Sequence, residues 1–375
     1  MSGPLPSALE RAALARAWAV AAPHGPAVSP NPAVGCILLA DGRVVAEGVT
    51  QPPPGPHAEV VALRAAGAAA RGATAVVTLE PCAHHGRTPP CTEALIAAGV
   101  TRVVLAHPDP NPAATGGAAR LRQAGVEVVG PLAAGDLLRG GVAGALEGFL
   151  STVLRGRPHV TLKLARTADG QVTNPSGARW VTGALARRAV HRWRAAVDGV
   201  LVGIGTVLAD DPRLDVRDVD TDRQPRAVVL DAQVRTPPTA QLVRPGTVVI
   251  AAAPAGAGPT VAQGRRADQL VARGVEVAWV PPAADRRGVD LPAALARLAE
   301  LGIVSLLAEP GPTLAGALLD AALVDRLVLH VAVGLGDGPL AAALAPPPGA
   351  PWRTERSGGA GPDAIVHLLP PRTPL

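Results

Sequence analysis

The sequence contains little of several residue types, and each scarcity excludes a class of protein. Among 375 residues there is no tyrosine, one phenylalanine and five tryptophans, so few rings are available to stack on single-stranded nucleic acid. Three cysteines are odd in number and too few for a disulfide framework, which favours a reducing compartment. No apolar run approaches the roughly 20 residues of a membrane span, and the N-terminus lacks a signal-peptide pattern. We expect a cytoplasmic protein with no membrane partner.

Lysine is also scarce, because Lys163 stands alone against 34 arginines. The net charge of +5 and the isoelectric point of about 10.2 raise the possibility of nucleic-acid binding. However, residues 1–150 carry ten arginines and ten acidic residues, and the remaining excess is dispersed rather than gathered in a patch. We therefore expect no nucleic-acid partner. A phosphorylated small molecule would use the same arginines.

Apolar periodicity predicts two α/β domains, residues 1–150 and 151–375. The first shows a helix over 7–22, a hairpin turn at Asp41-Gly42, and then alternating helices and strands, which predicts a largely parallel sheet. The second opens with a strand at 159–165 and alternates again, with surface loops predicted over 210–226 and 252–268.

Metal-ligating residue types concentrate in two short stretches, His57-Ala58-Glu59 and the segment from Pro81 to Cys91. One imidazole (His57) and two thiolates (Cys82 and Cys91) are good zinc ligands, and three protein ligands leave a fourth position open for water. His57 and Cys82 each follow a proline where the pattern predicts a helix start, and a helix N-terminus favours a thiolate.

Glu59 is the candidate proton carrier beside this metal. Residues i and i+2 do not share a helix face, so Glu59 would not ligate together with His57, but it can lean over the open position and shuttle protons. Zinc lowers the pKa of bound water toward about 7, and Glu59 would pass that proton to a leaving amine. Zinc deaminases share this logic, yet here eight residues rather than two separate the cysteines, which excludes a routine cytidine or tRNA-adenosine deaminase. A structural zinc closed by His84 or His85, or two buried thiols near a surface histidine, are the alternatives.

Several motifs together resemble the bifunctional riboflavin-biosynthesis deaminase–reductases. The resemblance implies an N-terminal cytidine-deaminase-like three-layer α/β domain followed by a dihydrofolate-reductase-like α/β domain. The motifs are Asn31-Pro32-Ala33-Val34-Gly35, His57-Ala58-Glu59, Pro81 to Cys91, Asp109-Pro110-Asn111-Pro112, Thr161-Leu162-Lys163-Leu164-Ala165, Thr167-Ala168-Asp169-Gly170, Trp180-Val181-Thr182, Gly205 to Pro212, and Glu309 to Leu314.

The resemblance implies two reactions on phosphorylated pyrimidines. The first domain, with one zinc ion, would remove the 2-amino group of 2,5-diamino-6-ribosylamino-4(3H)-pyrimidinone 5′-phosphate. The second would use NADPH to reduce the ribosyl group of the product to ribityl. The family tends to self-associate, so a homo-oligomer is expected. Two alternatives stay open: a deaminase whose second domain only binds, and a zinc-stabilised RNA-binding protein.

By the same resemblance, roles pass to individual residues. Zinc would be held by His57, Cys82 and Cys91, with Glu59 as proton shuttle. Asn31 would line the pyrimidine pocket, although it could equally form a turn before Pro32. Of His84 and His85, we expect one, His84, in the substrate pocket and the other in a solvated loop. The reductase substrate would contact Thr167, Arg194, Leu214, Arg217 and Glu309. NADPH would contact Ala165, Trp180, Thr206, Asp210, Gly311, Pro312, Thr313, Leu314, Ala315, Gly316 and Ala317.

The reductase half lacks a G-x-G-x-x-G fingerprint, so a Rossmann site is not expected. A Gly/Pro turn that opens a helix after Ala308 can present free N–H groups to phosphate. Lys163, the one ammonium, lies in an apolar strand, and a compact charge suits an oxygen in a tight pocket. We expect Lys163 and Asp169 to orient the ribose and help protonate the new hydroxyl. An edge-strand lysine facing water is the alternative.

Arg194 has an alternative interpretation, and two alanines depart from the family pattern. Arg194 could instead lie on a solvated helix face, since other arginines crowd nearby. Ala178 and Ala232 stand where the family commonly has serines that contact substrate and cofactor. Each alanine removes one hydroxyl hydrogen bond, worth about 0.5–1.5 kcal/mol.

Overall fold

The structure is a computed structural model that describes residues 5–84, 89–132, 144–172, 180–221, 223–285, 287–335 and 352–370. The chain forms two compact units, Met1–Gly156 and Arg157–Leu375. A helix, Gly144–Arg155, continues through residue 150, where the sequence suggested that the first domain ends. The assignment of one catalytic activity to residues 1–150 and the other to residues 151–375 stays a prediction. Among the helices so described, none has both the length and the apolar composition that a membrane crossing requires.

The first unit is built on a sheet whose five described strands have the order β2-β1-β3-β4-β5. These strands are β1 (Gly35–Ala40), β2 (Arg43–Val49), β3 (Thr74–Leu79), β4 (Arg102–His107) and β5 (Glu127–Val129). The helices are α1 (Ala8–Ala21), α2 (Gly25–Val28), α3 (Ala58–Ala66), α4 (Cys91–Ala97), α5 (Gly117–Gln123) and α6 (Gly144–Arg155). Consecutive residues of the central strands β1 and β3 are buried, so both faces of the sheet are covered.

The prediction of a largely parallel sheet is wrong for part of this unit. Asp41 and Gly42 have positive φ angles of 50° and 72°, which suits a two-residue hairpin turn and makes β1 and β2 antiparallel. Strand β1 is also antiparallel to β3, and only β3, β4 and β5 run parallel. The predicted hairpin itself is confirmed.

The second unit contains a sheet whose described strands have the order β10-β9-β8-β7-β11-β6-β12-β14-β13. The strands are β6 (His159–Thr167), β7 (Gly199–Gly203), β8 (Arg226–Leu230), β9 (Val248–Ala252), β10 (Glu276–Val280), β11 (Ser305–Ala308), β12 (Arg326–Ala332), β13 (Arg353–Ala360) and β14 (Asp363–Leu369). The helices are α7 (Ala184–Ala195), α8 (Ile204–Asp210), α9 (Val261–Val271), α10 (Leu291–Glu300) and α11 (Pro312–Asp320). In this spatial order, all neighbouring strands from β10 through β9, β8, β7, β11 and β6 to β12 are parallel. Strands β14 and β13 complete the sheet in antiparallel orientation.

Helix α9 contradicts the surface loop predicted over 252–268. Its N-terminus carries a capping box, in which the Thr260 hydroxyl accepts the N–H of Gln263 and the Gln263 side chain accepts the N–H of Thr260. Ala267 and Leu270 bury one face of this helix in the core. The Ala/Gly/Pro content of the segment obscured this local start signal. The described part of 210–226, beyond the end of α8, contains no helix or strand until β8 begins at Arg226, as predicted.

Candidate functional site

The structure brings together the three predicted zinc ligands. His57 immediately precedes α3, Cys91 is the first residue of α4, and Cys82 lies in the loop after β3. His57 Nδ1 lies 3.2 Å from Cys91 Sγ and 3.7 Å from Cys82 Sγ. The three candidate ligand atoms all lie within 4.8 Å of one another. Ligands of one tetrahedral zinc ion, with bonds of about 2.0–2.3 Å, lie roughly 3.3–3.8 Å apart, so this donor set fits zinc closely.

Cys82 does not start a helix, and that prediction is wrong. Residues 80–84 after β3 form neither helix nor strand, and α4 begins at Cys91 after the N-cap residue Pro90. The N-terminus of α4 nevertheless contacts Cys82, because the Cys82 Sγ accepts the N–H of Cys91 at 3.4 Å. The Cys82 carbonyl also accepts the N–H of Thr92 at 3.3 Å. The helix N-terminus therefore stabilises a thiolate through space rather than through sequence position.

The charges of this trio are strongly coupled. The Cys91 thiol, the His57 ring and the Cys91 N–H outweigh burial and lower the pKa of Cys82 to about 4. The hydrogen bond with Cys82 raises the pKa of His57, and the same neighbour together with burial raises the pKa of Cys91. The site thus holds a thiolate against positive charge, an arrangement in which a divalent cation can replace protons.

Glu59 is buried, with 3 % of its surface exposed, in the first turn of α3. Burial raises the pKa of its carboxyl group, which also contacts the Cys91 thiol. A carboxyl group with a raised pKa can take up and release a proton near neutral pH. Its position two residues beyond His57 places it beside the ligands, as the sequence predicted.

A cavity of about 440 Å³ opens at His57, Glu59 and Cys82 and has the size of a small-molecule site. Asn31 and His84, the predicted pyrimidine contacts, both line it. His85 lies outside the described residues. The remaining lining residues are Pro30, Pro32, Val34, Thr50, Pro53, Pro54, Gly55, His57, Glu59, Leu79, Glu80, Cys82, Asp109, Asn111, Ala114 and Phe149.

Sequence reasoning missed five polar or aromatic members of this wall: Thr50, Glu80, Asp109, Asn111 and Phe149. The Glu80 carboxylate accepts the N–H of Ala118 at 2.8 Å and of Asp109 at 3.3 Å. Asp109 in turn accepts the N–H of Asn111 at 2.9 Å, and burial raises the pKa of its carboxyl group. The signals were available: Asp109 and Asn111 stand in a family landmark, and Phe149 is the single phenylalanine.

In the second unit, Lys163 lies on a central strand. Strand β6 is flanked by β11 and β12, so the alternative of an edge-strand lysine facing water is wrong. Lys163 pairs in register with Val328, and Leu162 pairs with Ala308, the residue before Glu309. Burial lowers the pKa of Lys163, and the charge of Glu309 opposes that shift.

Arg194 on α7 forms a two-point ion pair with Glu309. Its Nε and Nη2 donate to the two carboxylate oxygens at 2.7 and 3.1 Å, and both side chains are nearly buried, at 13 % and 14 % exposure. Arg194 is therefore not on a solvated helix face. Burial alone would raise the pKa of Glu309, but the Arg194 guanidinium outweighs it and the pKa is lowered.

The second predicted arginine, Arg217, converges on the same region. Its guanidinium hydrogen-bonds to the Asp215 carboxylate, and Arg194 donates to the Asp215 carbonyl at 3.0 Å. The Arg217 N–H donates to His191 Nδ1 on α7 at 3.2 Å. Leu214 is 2 % exposed and packs in the apolar core, and its contact with substrate stays a prediction.

Two of the predicted cofactor segments adjoin. Gly311 is the N-cap residue of α11, and its N–H donates to Thr206 Oγ1 at the start of α8, at 3.2 Å. The first turn of α11 can present N–H groups to phosphate. Trp180 is 51 % exposed beneath the Arg187 guanidinium, and Asp210 is exposed at the end of α8.

Asp169, the second residue expected to orient the ribose, lies in the turn after β6, and its joint role with Lys163 stays a prediction. Asp169 accepts a hydrogen bond from the Thr167 hydroxyl in the turn after β6. Thr167 lies four residues beyond Lys163, about 13 Å along the strand. Glu309 is the acidic residue whose charge acts on Lys163.

Two alanines depart from the family pattern. Ala178 falls outside the described residues. Ala232 follows β8, and its carbonyl accepts a hydrogen bond from Gln263 Nε2 at 3.0 Å. The backbone at Ala232 is therefore held by α9, although the side chain offers no hydroxyl.

Comparison with known proteins gives consistent similarities along the whole chain. Residues 9–107 match the cytidine and deoxycytidylate deaminase zinc-binding region, and residues 158–347 match the RibD C-terminal domain. The Escherichia coli (strain K12) riboflavin biosynthesis protein RibD is 40 % identical over 364 residues, covering 91 % of this chain and 94 % of that protein.

Two solved structures are similar to this chain over nearly its whole length. Acinetobacter baumannii RibD is 35 % identical, with a TM-score of 0.78 over 97 % of this chain and 99 % of that one. A Thermotoga maritima diaminohydroxyphosphoribosylaminopyrimidine deaminase/5-amino-6-(5-phosphoribosylamino)uracil reductase is 30 % identical, with a TM-score of 0.77 and the same coverage.

Proposed function

Because this chain belongs to the RibD family of riboflavin biosynthesis proteins and is a zinc deaminase and NADPH-dependent reductase, we propose that its halves act in succession on one pyrimidine. The first would deaminate 2,5-diamino-6-ribosylamino-4(3H)-pyrimidinone 5′-phosphate. The second would reduce the ribosyl group of 5-amino-6-(5-phosphoribosylamino)uracil to ribityl. The name of the Thermotoga maritima relative, which specifies both substrates, supports this assignment. The two units have the predicted folds, cytidine-deaminase-like and then dihydrofolate-reductase-like.

The observation that carries the deaminase assignment is the His57–Cys82–Cys91 trio beside buried Glu59 at one cavity. These three residues would hold the zinc ion, which supplies Lewis acidity that lowers the pKa of water toward about 7. Water oxygen bonds to C2 of the pyrimidine, and the C2–N bond to the exocyclic amine breaks. Glu59 takes one proton from the water and delivers it to the departing nitrogen, which leaves as ammonia, while the second water proton passes to the adjacent ring nitrogen as C2 becomes a carbonyl. Asn31 and His84 orient the ring.

In the reductase half, the charged residues around Lys163 position the ribose. NADPH supplies the hydride that C1′ of the ribosyl group receives. The C1′–O4′ bond breaks, and the oxygen takes a proton to become the 4′-hydroxyl of the ribityl chain. Lys163 holds a proton near this oxygen, while Arg194 and Arg217 attract the phosphate. Thr206 and the first turn of α11, with Gly311, would hold cofactor phosphate.

A glutamate substitution tests the deaminase assignment. Glu59→Gln should retain zinc and reductase activity and lose deamination, because the amide cannot carry the proton. Glu93→Gln is a matched control, since Glu93 also follows a zinc ligand by two residues but pairs with Arg120 at the surface. Zinc content and both half-reactions should be measured on each variant. Deamination at the wild-type rate in Glu59→Gln would refute the shuttle.

The converse substitution tests the reductase. Lys163→Ala should lose NADPH oxidation with the deaminated substrate and retain deamination. Lys163→Arg should recover little, because a guanidinium fork cannot replace a compact ammonium. Unchanged NADPH turnover in Lys163→Ala would remove the lysine from the mechanism. Absence of NADPH oxidation in the wild type would favour a second unit that only binds.

We further infer a cytoplasmic homo-oligomer that acts on small molecules and not on nucleic acid. The free state of Cys36, Cys82 and Cys91 supports a reducing compartment. The tendency of the family to self-associate supports the oligomer. Light scattering would measure the assembly, and salt-dependent RNA binding without pyrimidine turnover would contradict the substrate class.

A further inference from the structure

His330, in the middle of β12, is a buried side chain without any hydrogen-bond partner. None of its surface is exposed, and within the described part of the chain neither Nδ1 nor Nε2 has a partner. The ring packs against that of Trp193 in a T-shaped arrangement, with centroids 5.1 Å apart and an interplanar angle of 88°. Leaving a buried polar group unpaired is costly, so such a group calls for an explanation.

The strand register places His330 near Lys163. Strands β6 and β12 are parallel, with Lys163 opposite Val328 and Ala165 opposite His330. Side chains two residues apart on a strand share a face, so His330 lies one diagonal step from Lys163 on the same face. Diagonal neighbours are within reach of long side chains. The Lys163 ammonium likewise makes no hydrogen bond to any described residue.

Burial, together with the positive charges that face His330, keeps its ring neutral. Lys163 acts from β6, Glu309 from the end of β11 and His367 from β14, while α7 contributes the Trp193 ring and, beside it, Arg194. Burial, followed by the charges of Lys163 and His367, lowers the pKa of His330 to about 3. A neutral imidazole offers one nitrogen as an acceptor, and an ammonium has three donors. The two unpartnered groups are therefore complementary.

We propose that His330 is a positioning residue for the reductase, whose neutral ring accepts one hydrogen bond from the Lys163 ammonium and leaves the other donors for substrate. Rotation of the flexible lysine stem forms this bond. The bond keeps the ammonium protonated and limits the directions in which it can point. The catalytic consequence rests on the proposed role of Lys163, but the contact itself does not.

The single lysine of this chain allows a direct test. An untagged protein labelled with lysine carrying carbon-13 at Cε has one lysine side-chain NMR signal, and its pH titration measures the pKa of Lys163. His330→Leu removes the acceptor, so we expect the Lys163 pKa to fall by about 0.5–1 pH unit, the equivalent of one net hydrogen bond. His330→Asn keeps an acceptor and should recover part of this shift. The alkaline limb of the reductase pH profile should move with the titration.

His367→Leu is the matched control. His367 also packs its ring against Trp193, at 5.3 Å, but lies one strand further from Lys163 and faces Arg356. An unchanged Lys163 pKa in a folded His330→Leu protein, or an equal shift in His367→Leu, would overturn the proposal. If the pKa shifts as expected but Lys163→Ala still reduces substrate, the catalytic role of the lysine fails and the contact stands.

Discussion

The ion pair between Arg194 and Glu309 allows a quantitative prediction. Arg194→Met keeps the apolar stem but leaves a nearly buried carboxylate without its two-point partner. Removing one partner of a buried pair costs about 3–5 kcal/mol. For a unit of this size, each kcal/mol lowers Tm by about 2–4 °C. We therefore expect the second unit of Arg194→Met to unfold about 10 °C below the wild type.

The loss should depend on pH, and Glu309 decides the sign. In the wild type its pKa is lowered, so the carboxylate contributes stability that is present above the unfolded value of about 4.3 and lost as pH falls through the lowered pKa. In Arg194→Met the guanidinium no longer opposes burial, so the pKa is raised and stability is lost as pH rises above about 4.3. The difference between the proteins is largest near neutral pH and shrinks below about pH 4.

Tryptophan fluorescence suits this measurement, because four of the five tryptophans lie in the second unit. Arg297→Met is a suitable control, since Arg297 pairs with Glu300 on the exposed surface of α10. Such a pair is worth about 0.5 kcal/mol or less. Adding Glu309→Leu to Arg194→Met should recover stability by removing the orphan charge. Equal melting temperatures of Arg194→Met and Arg297→Met would refute the reasoning. So would a melting difference between Arg194→Met and the wild type that is identical at pH 4 and pH 7.

Three further predictions concern the first unit. Zinc removal by a chelator should abolish deamination and leave NADPH oxidation with the deaminated substrate unchanged; loss of both rates would contradict separate sites. Gly117→Ala should lower zinc affinity and deamination about tenfold, because the added Cβ would lie 1.8 Å from the carbonyl oxygen of Pro81, the residue before Cys82. The control is Gly264→Ala on α9, where the added Cβ meets open space and should not destabilise the protein. Phe149→Leu should raise the deaminase KM about 2- to 10-fold through lost ring stacking of about 0.5–1.5 kcal/mol, with the reductase KM as control; an unchanged deaminase KM would remove the ring from substrate binding.

The sequence by itself determined the features that depend on local chemistry. A histidine and two cysteines in this order select a metal because few residue types bind zinc. Asp41-Gly42 specified a hairpin because its residues tolerate positive φ. Alternating apolar runs located most strands and helices of both units, since each period matches one kind of backbone. Composition alone singled out the one lysine, Lys163.

Only the tertiary structure decided which residues distant in sequence meet. Arg194 and Glu309 are 115 positions apart and pair because α7 packs beside the end of β11. Cys82 gains a helix N-terminus from Cys91 across a loop, and Phe149 reaches the cavity from a helix that carries no motif. His330 becomes a neighbour of Lys163 through strand register. Burial and register between distant segments set these contacts, and neither quantity can be read from local residue pattern.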